Sequence, residues 1–275
     1  MAGLPDISLD DDKLSFTVAD FRQEVYPGLS RRDRALVDVF YYRYDNEALL
    51  GLLEDGDAPV SGGGVFSKDE LLSLISQVKD GESESYDGRF PSYMPRFLEW
   101  YFGVDVKPGA GRLADRLAAL YYEFAMGVDN RFTAAWFEFN LNLNNILTAL
   151  SGRRHDVDVT DAVVGDNEVA EALRSSRARD FGLSDSLDYY EKLQRAADSS
   201  DILERERRVD MLKWEWIDEA VFFNYFSVER VYAFLLRTDM IERWLSLDAG
   251  LGGEMFRKMI KKLREDVSIP AEFKN

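Results

Sequence analysis

A pattern made of an aromatic-rich segment, a polar break and an aliphatic run occurs three times along this chain. The three copies span residues 40–53, 136–150 and 222–236. Their polar breaks contain Asp45, Asn142 and Ser227, which are separated by 97 and 85 residues. The copies match in residue class and not in identity. Repetition at this scale predicts one helical unit used three times, which usually builds a scaffold or a collar and not a catalytic cleft.

The composition excludes several classes of protein. The 275 residues include no cysteine, so disulfides, thiolate metal sites and thiol nucleophiles are excluded. Hydrophobic residues make up 46% of the chain, which is enough for a substantial core. The net charge of −17 argues against binding to nucleic acid, because a polyphosphate backbone needs clustered Lys and Arg. Either solubility or an electrostatic match to a basic partner explains this acidic balance.

Hydropathy gives no sign of a membrane span or a signal peptide. The chain has no stretch of about 18 uncharged apolar residues. Residues 220–236 come closest, but Asn224, Glu229 and Arg230 interrupt them, and we expect this stretch to form soluble core. The first twelve residues lack the basic start and apolar region of a signal peptide, and the abrupt opening is compatible with an internal fragment.

Helix signals dominate the rest of the chain. Ser30 precedes an apolar helical face, and Ser67 with Glu70 forms a capping box. Asp45 is predicted to begin a separate short helix, and the longest helix is predicted over residues 201–224. Residues 151–165, with alternating Val157, Val159 and Val163, are predicted to form either a strand or an extended loop. About eleven to thirteen helices with no clear strand predict an all-α, multi-helical array in a single domain, residues 1–275, with pseudo-repeat units at roughly 1–80, 81–175 and 176–275.

Enzyme and metal signatures are weak. His155, the single histidine, stands among charged loop residues, where a solvated side chain is expected. A carboxylate di-metal bundle needs two histidines, and no Gly-x-Ser-x-Gly motif occurs. The glycines 62–64 lack the Lys-Ser/Thr of a phosphate loop, and the acidic residues 6–12 have Asp11 where a calcium loop needs glycine. We therefore expect no enzyme activity and no catalytic, cofactor-binding or metal-binding residue.

Four asparagines lie close together in the second copy of the pattern. They are Asn140, Asn142, Asn144 and Asn145. Asparagine is a poor residue for a helix interior, so one interpretation is a cap and turn that joins two helices. The other interpretation is that these amides fix an interface or a buried joint.

Two basic groups stand out against the acidic background. Arginines in the first turn of the helix after Ser30 oppose the helix dipole, which makes an acidic partner, within the chain or outside it, a reasonable hypothesis. A second group lies in the last predicted helix, near residues 254–266, where the dipole favours positive charge. The candidate partner-binding residues are Arg31, Arg32, Arg34, Lys258, Lys261 and Lys262.

The third copy of the pattern and its surroundings resemble a known bacterial family of unknown function. The residues that carry the resemblance are 2–6, 214–216, 225–236 and 243–248. That family is generally encoded among V/A-type ATPase genes, in the place of the C subunit, the counterpart of the eukaryotic d subunit. These C subunits are three-fold repeated helical funnels that sit on the membrane rotor ring and receive the foot of the central stalk.

The resemblance implies a non-catalytic adaptor that links the central stalk to the rotor ring and couples ATP hydrolysis or synthesis to ion transport. It also implies a cytoplasmic location, peripheral to the inner membrane through the partner complex. The chain departs from the C subunits because it is shorter, strongly acidic and only loosely repeated. Two alternatives stay open: a general cytosolic helical scaffold with another partner, and a hydrolase or metal enzyme that uses carboxylates converging in a cavity.

Overall fold

The computed structural model describes residues 4–11, 13–81, 88–105 and 109–248. Within these ranges the secondary structure is entirely helical and includes no strand, so the predicted all-α class is confirmed. The chain divides into two compact units: a large unit, Ser30–Ala220, and a terminal unit made of Met1–Leu29 and Val221–Asn275. This division into units does not test whether the chain repeats, so the predicted single domain and its three pseudo-repeat units stay a prediction.

The described residues form ten α-helices, and the last predicted helix, near residues 254–266, lies outside the described residues. Their bounds are α1 Val18–Asp20, α2 Arg31–Glu54, α3 Lys68–Lys79, α4 Tyr93–Gly103, α5 Ala110–Met126, α6 Arg131–His155, α7 Glu168–Ser175, α8 Tyr190–Ala197, α9 Ile202–Ala220 and α10 Val228–Asp248. In the large unit, helices that follow one another in sequence mostly pack together: α3 on α4, α4 on α5, α5 on α6, and α8 on α9, while α6 also contacts α7 and α8. None of the described helices is both long and apolar enough to cross a bilayer.

Polar residues start the helices as the sequence indicates. Ser30 and Ser67 each accept a hydrogen bond from the backbone amide three residues later, and Glu70 closes the predicted capping box at Ser67. Asn130 and Asn167 cap α6 and α7 in the same way. These side chains satisfy amides that have no partner inside the helix, which fixes where each helix begins.

Two predicted helix boundaries are wrong for one physical reason. Asp45 does not begin a helix, because α2 runs without interruption from Arg31 to Glu54 and buries Asp45 in its middle. The four asparagines likewise lie inside α6 and form no turn. The helices accommodate Asp45, Asn142 and Asn145 because these side chains form hydrogen bonds with residues outside their own helix. They therefore do not compete for the hydrogen bonds of the helix backbone. In the stretch predicted as a strand or an extended loop, residues 151–155 are helical and end α6, and the rest is a loop with a 3₁₀ turn at Thr160–Ala162.

The terminal unit joins both ends of the described chain. The short helix α1 continues as a π turn and a 3₁₀ turn to Gly28. The Val18 amide donates a hydrogen bond to Glu242 Oε1 of α10 at 2.8 Å, and the rings of Phe16 and Phe234 lie 5.7 Å apart. Residues 231–236 of α10 are buried, as expected for the aliphatic run of the third copy.

Candidate interaction surface

Four large aromatic side chains lie exposed in the segment that follows α9 and precedes α10. Phe222, Phe223, Tyr225 and Phe226 are 62%, 83%, 69% and 85% exposed, respectively. Residues 222–226 are called the aromatic segment below. Large apolar side chains grouped on a surface commonly mark an interaction site, because leaving them in water forgoes the free energy of burial.

Local backbone geometry explains why the aromatic segment faces solvent. The longest predicted helix, residues 201–224, ends early at Ala220, and the Asn224 amide donates to the Val221 carbonyl in a tight turn. Val221 is buried and anchors the start of this turn. The prediction that residues 220–236 form core is therefore correct for residues 231–236 and wrong for the aromatic segment.

A small pocket adjoins the aromatic segment within the terminal unit. It has a volume of about 220 Å³ and is lined by Leu4, Pro5, Asp6, Ile7, Tyr225, Arg230, Phe234 and Arg237. The three α10 residues in this lining lie on one face of the helix, with the buried ring of Phe234 between the two arginines. This arginine pocket shares Tyr225 with the aromatic segment, so the two features form one continuous surface.

Asp45 forms a buried joint in the large unit. Its carboxylate is 1% exposed and accepts hydrogen bonds from the amides of Val65 at 2.8 Å and Phe66 at 3.0 Å, just before α3. A Cβ atom on Gly64 would overlap the Asp45 carboxylate, so this position needs glycine for space. The joint fixes the loop between α2 and α3 to the middle of α2.

Asparagines of α6 form a similar joint. The side chain of Asn145 accepts from the Val164 amide at 2.9 Å and donates to the Val164 carbonyl at 2.7 Å. Asn142 accepts from the side chain of Asn167, the residue that caps α7. The interpretation of these amides as a buried joint is thus correct for Asn142 and Asn145.

The two joints lie at matching places in their segments. The helix caps Ser30 and Asn130, the joint residues Asp45 and Asn145, and the caps Ser67 and Asn167 are each separated by 100 residues. Asn145, and not Asn142, is therefore the counterpart of Asp45. This correspondence concerns two segments, and three-fold repetition stays a prediction.

Three aromatic rings of α6 pack around Trp216 of α9. The rings of Phe132, Trp136 and Phe139 lie 5.3–5.7 Å from it. A pocket of about 240 Å³, lined in part by Tyr189, lies beside these rings. Burial raises the pKa of Tyr189 to about 12, although a hydrogen bond with Asn142 acts to lower it.

A cleft with a volume of about 590 Å³ lies at the C-terminal end of α6. His155 lines it and is exposed, as predicted, but it is the last residue of α6 and does not lie in a loop. The arginines that line this cleft form ion pairs: Arg154 lies 2.8 Å from Asp198, and Arg205 lies 3.9 Å from Glu206. Across the part of the chain that the structure describes, no group of three or more Asp, Glu or His side chains could hold a metal ion.

The predicted partner-binding residues fall into two groups. Arg31, Arg32 and Arg34 lie exposed in the first turn of α2, and Arg32 Nη2 lies 3.0 Å from Asp129 Oδ2. Arg32 therefore has an acidic partner within the chain, and the role of all three in binding another protein stays a prediction. The remaining candidates lie outside the described residues; they are Lys258, Lys261 and Lys262.

Comparison with known proteins places the chain in one family. A family model described as "Protein of unknown function (DUF2764)" matches residues 1–267, and the chain belongs to this family. No curated protein matches the chain. No solved structure matches it either. The family match confirms the coarser part of the resemblance, a family of unknown function that covers essentially the whole chain.

Proposed function

We propose that this member of the DUF2764 family is a non-catalytic adaptor of a V/A-type ATPase, with a role like that of the C subunits. In this role it links the central stalk to the membrane rotor ring and couples ATP hydrolysis or synthesis to ion transport. It acts at the cytoplasmic face of the inner membrane and is held there by the partner complex. The observation that carries the proposal is the exposure of the aromatic segment, which supports a function in protein binding.

The size of the aromatic segment suits the centre of an interface. Each aromatic side chain presents about 150–250 Å², so four chains at their observed exposures offer about 600 Å². A stable protein–protein interface buries about 800 Å² on each partner. The segment is therefore large enough to form the apolar core of one side, with polar surroundings as its rim.

The identity of the partner follows from the sequence resemblance. Residues 225–236, which carry part of that resemblance, include Tyr225 and Phe226 of the aromatic segment. The sequence that resembles the ATPase-associated family and the surface that suits a partner thus overlap. A general helical scaffold would use the same surface with a different partner, so the identity of the captured protein distinguishes the two functions.

Affinity purification from native membranes tests this proposal. Tagged wild-type protein is expected to retain central-stalk and rotor-ring subunits, whereas a double variant, Phe223→Ser with Phe226→Ser, is expected to lose them. Met211→Ser, which replaces an exposed apolar side chain of α9, serves as the matched control and should retain them. Wild-type protein that is monomeric and absent from the assembled ATPase would refute the proposal. Capture of a different cytosolic protein through the same two phenylalanines would favour the scaffold.

A further inference from the structure

The arginine pocket presents an exposed arginine, Arg230, on a strongly acidic protein. The described residues that line it include two arginines, Arg230 and Arg237, and one carboxylate, Asp6, whereas the chain as a whole has a net charge of −17. The Asp6 side chain makes no ion pair within the described ranges, and the Arg230 side chain is exposed and makes none there. The positive charge of Arg230 is thus available to a ligand.

The shape of the pocket limits the ligand that it can take. Its volume of about 220 Å³ lies below the usual range of about 300–1,000 Å³ for small-molecule sites, which suits a single side chain. Phe234, which also lines the pocket, is buried and adds an apolar surface to it. A guanidinium group offers a planar fork of N–H donors that matches a carboxylate, and such charge-assisted pairs are strong and directional.

We propose that the arginine pocket receives an Asp or Glu side chain of the protein whose apolar side chains cover the aromatic segment. The inference rests on the proposed function, because it assigns the chemistry of the partner at the same surface. Tyr225 belongs to both features, so one partner segment can place apolar side chains on the phenylalanines and an acidic side chain against Arg230. The net charge of −17 disfavours both a second copy of this chain and an anionic lipid surface as the occupant.

Charge reversal at Arg230 tests the pocket. The readout is the affinity of each variant for detergent-solubilised ATPase purified without this chain. We expect Arg230→Glu to weaken binding about tenfold or more, and Arg230→Lys to weaken it less, because lysine keeps the charge and loses the fork. Arg177→Glu is the matched control, since Arg177 is exposed in the large unit and its reversal changes the net charge equally. Circular dichroism checks that each variant is folded.

The outcomes separate this inference from the proposed function. If wild-type protein binds the ATPase and Arg230→Glu binds as tightly, the pocket inference is overturned and the adaptor function stands. If wild-type protein does not bind, the adaptor function fails. The pocket is then tested on its own by NMR titration of ¹⁵N-arginine-labelled protein with N-acetylglutamate. A saturable shift of the Arg230 side-chain signal that Arg177 does not share supports a carboxylate site. Equal responses at both arginines, tighter binding of inorganic phosphate, or Arg230-dependent binding to phosphatidylserine vesicles would overturn it.

Discussion

Asp45 connects the middle of α2 to the loop before α3, and its replacement by alanine gives a quantitative test of that joint. Asp45→Ala leaves the amides of Val65 and Phe66 without the two bonds that the carboxylate now accepts. A hydrogen bond to a charged group contributes about 1.5–3 kcal/mol, so the two bonds predict a loss of about 3–6 kcal/mol in the free energy of unfolding. That is a large fraction of the about 5–15 kcal/mol that stabilises a typical protein.

Urea unfolding followed by far-UV circular dichroism measures this loss. Asp45→Asn keeps one acceptor oxygen and turns an NH₂ group toward the other amide, so we expect about half the loss of Asp45→Ala. Faster hydrogen exchange at the Val65 and Phe66 amides should accompany both changes. Glu47→Ala, an exposed position on the same helix, is the control and should change stability by less than about 0.5 kcal/mol.

Gly64 provides a second, independent check of the same joint. Gly64→Ala places a Cβ against the Asp45 carboxylate and should destabilise the protein by about 1–3 kcal/mol. In the Asp45→Ala background the space is available, so the same change should have a smaller effect, and the two substitutions should not be additive. A loss below about 1 kcal/mol for Asp45→Ala, or strictly additive effects, would refute this account of the joint.

Three further predictions follow from the described contacts. Asn145→Ala removes two hydrogen bonds to the loop before α7 and should lower the free energy of unfolding by about 1–3 kcal/mol in urea titrations; an unchanged midpoint would contradict the joint. Because burial raises the pKa of Tyr189 from 10.0 to about 12, the folded state holds its proton longer than the unfolded state, so stability should fall as pH rises from about 10 to 12. Tyr189→Phe should remove this part of the pH dependence, and identical profiles for the two proteins would contradict it. Reversal of both Arg31 and Arg32 to Glu should change stability by less than about 1 kcal/mol, because the ion pair of Arg32 is exposed, and weakened binding to the ATPase would support their predicted role.

Local patterns in the sequence predict local structure in this protein, whereas distant contacts escape them. The caps Ser30 and Ser67 could be predicted because a polar side chain and the amide that it satisfies are three residues apart. The bonding partners of Asp45 and Asn145 could not be predicted, since they lie about 20 residues away in loops without periodicity. A polar residue inside an apolar helix looks like a break until its partner is known.

The sequence did not predict the exposed aromatic segment or the arginine pocket, for a different reason. Residues 222–226 have the composition of core, and hydrophobicity alone does not distinguish a buried aromatic side chain from an exposed one. The arginine pocket brings residues 4–7 against α10, more than 200 residues later in the chain. A sequence pattern does not show that these two distant segments meet, or that the charge of Arg230 is available to a ligand.

The terminal unit also determines the order in which the chain can fold. The large unit is continuous in sequence, but α1 needs α10, and the Val18 amide and Glu242 lie 224 residues apart. A ribosome adds about 5–20 residues each second, so the roughly 200 residues between the two parts delay α10 by about 10–40 s. During that time Phe16 leaves the ribosome without Phe234, the ring that it contacts in the folded protein, so this part of the terminal unit reaches its native contacts only after α10 has been made.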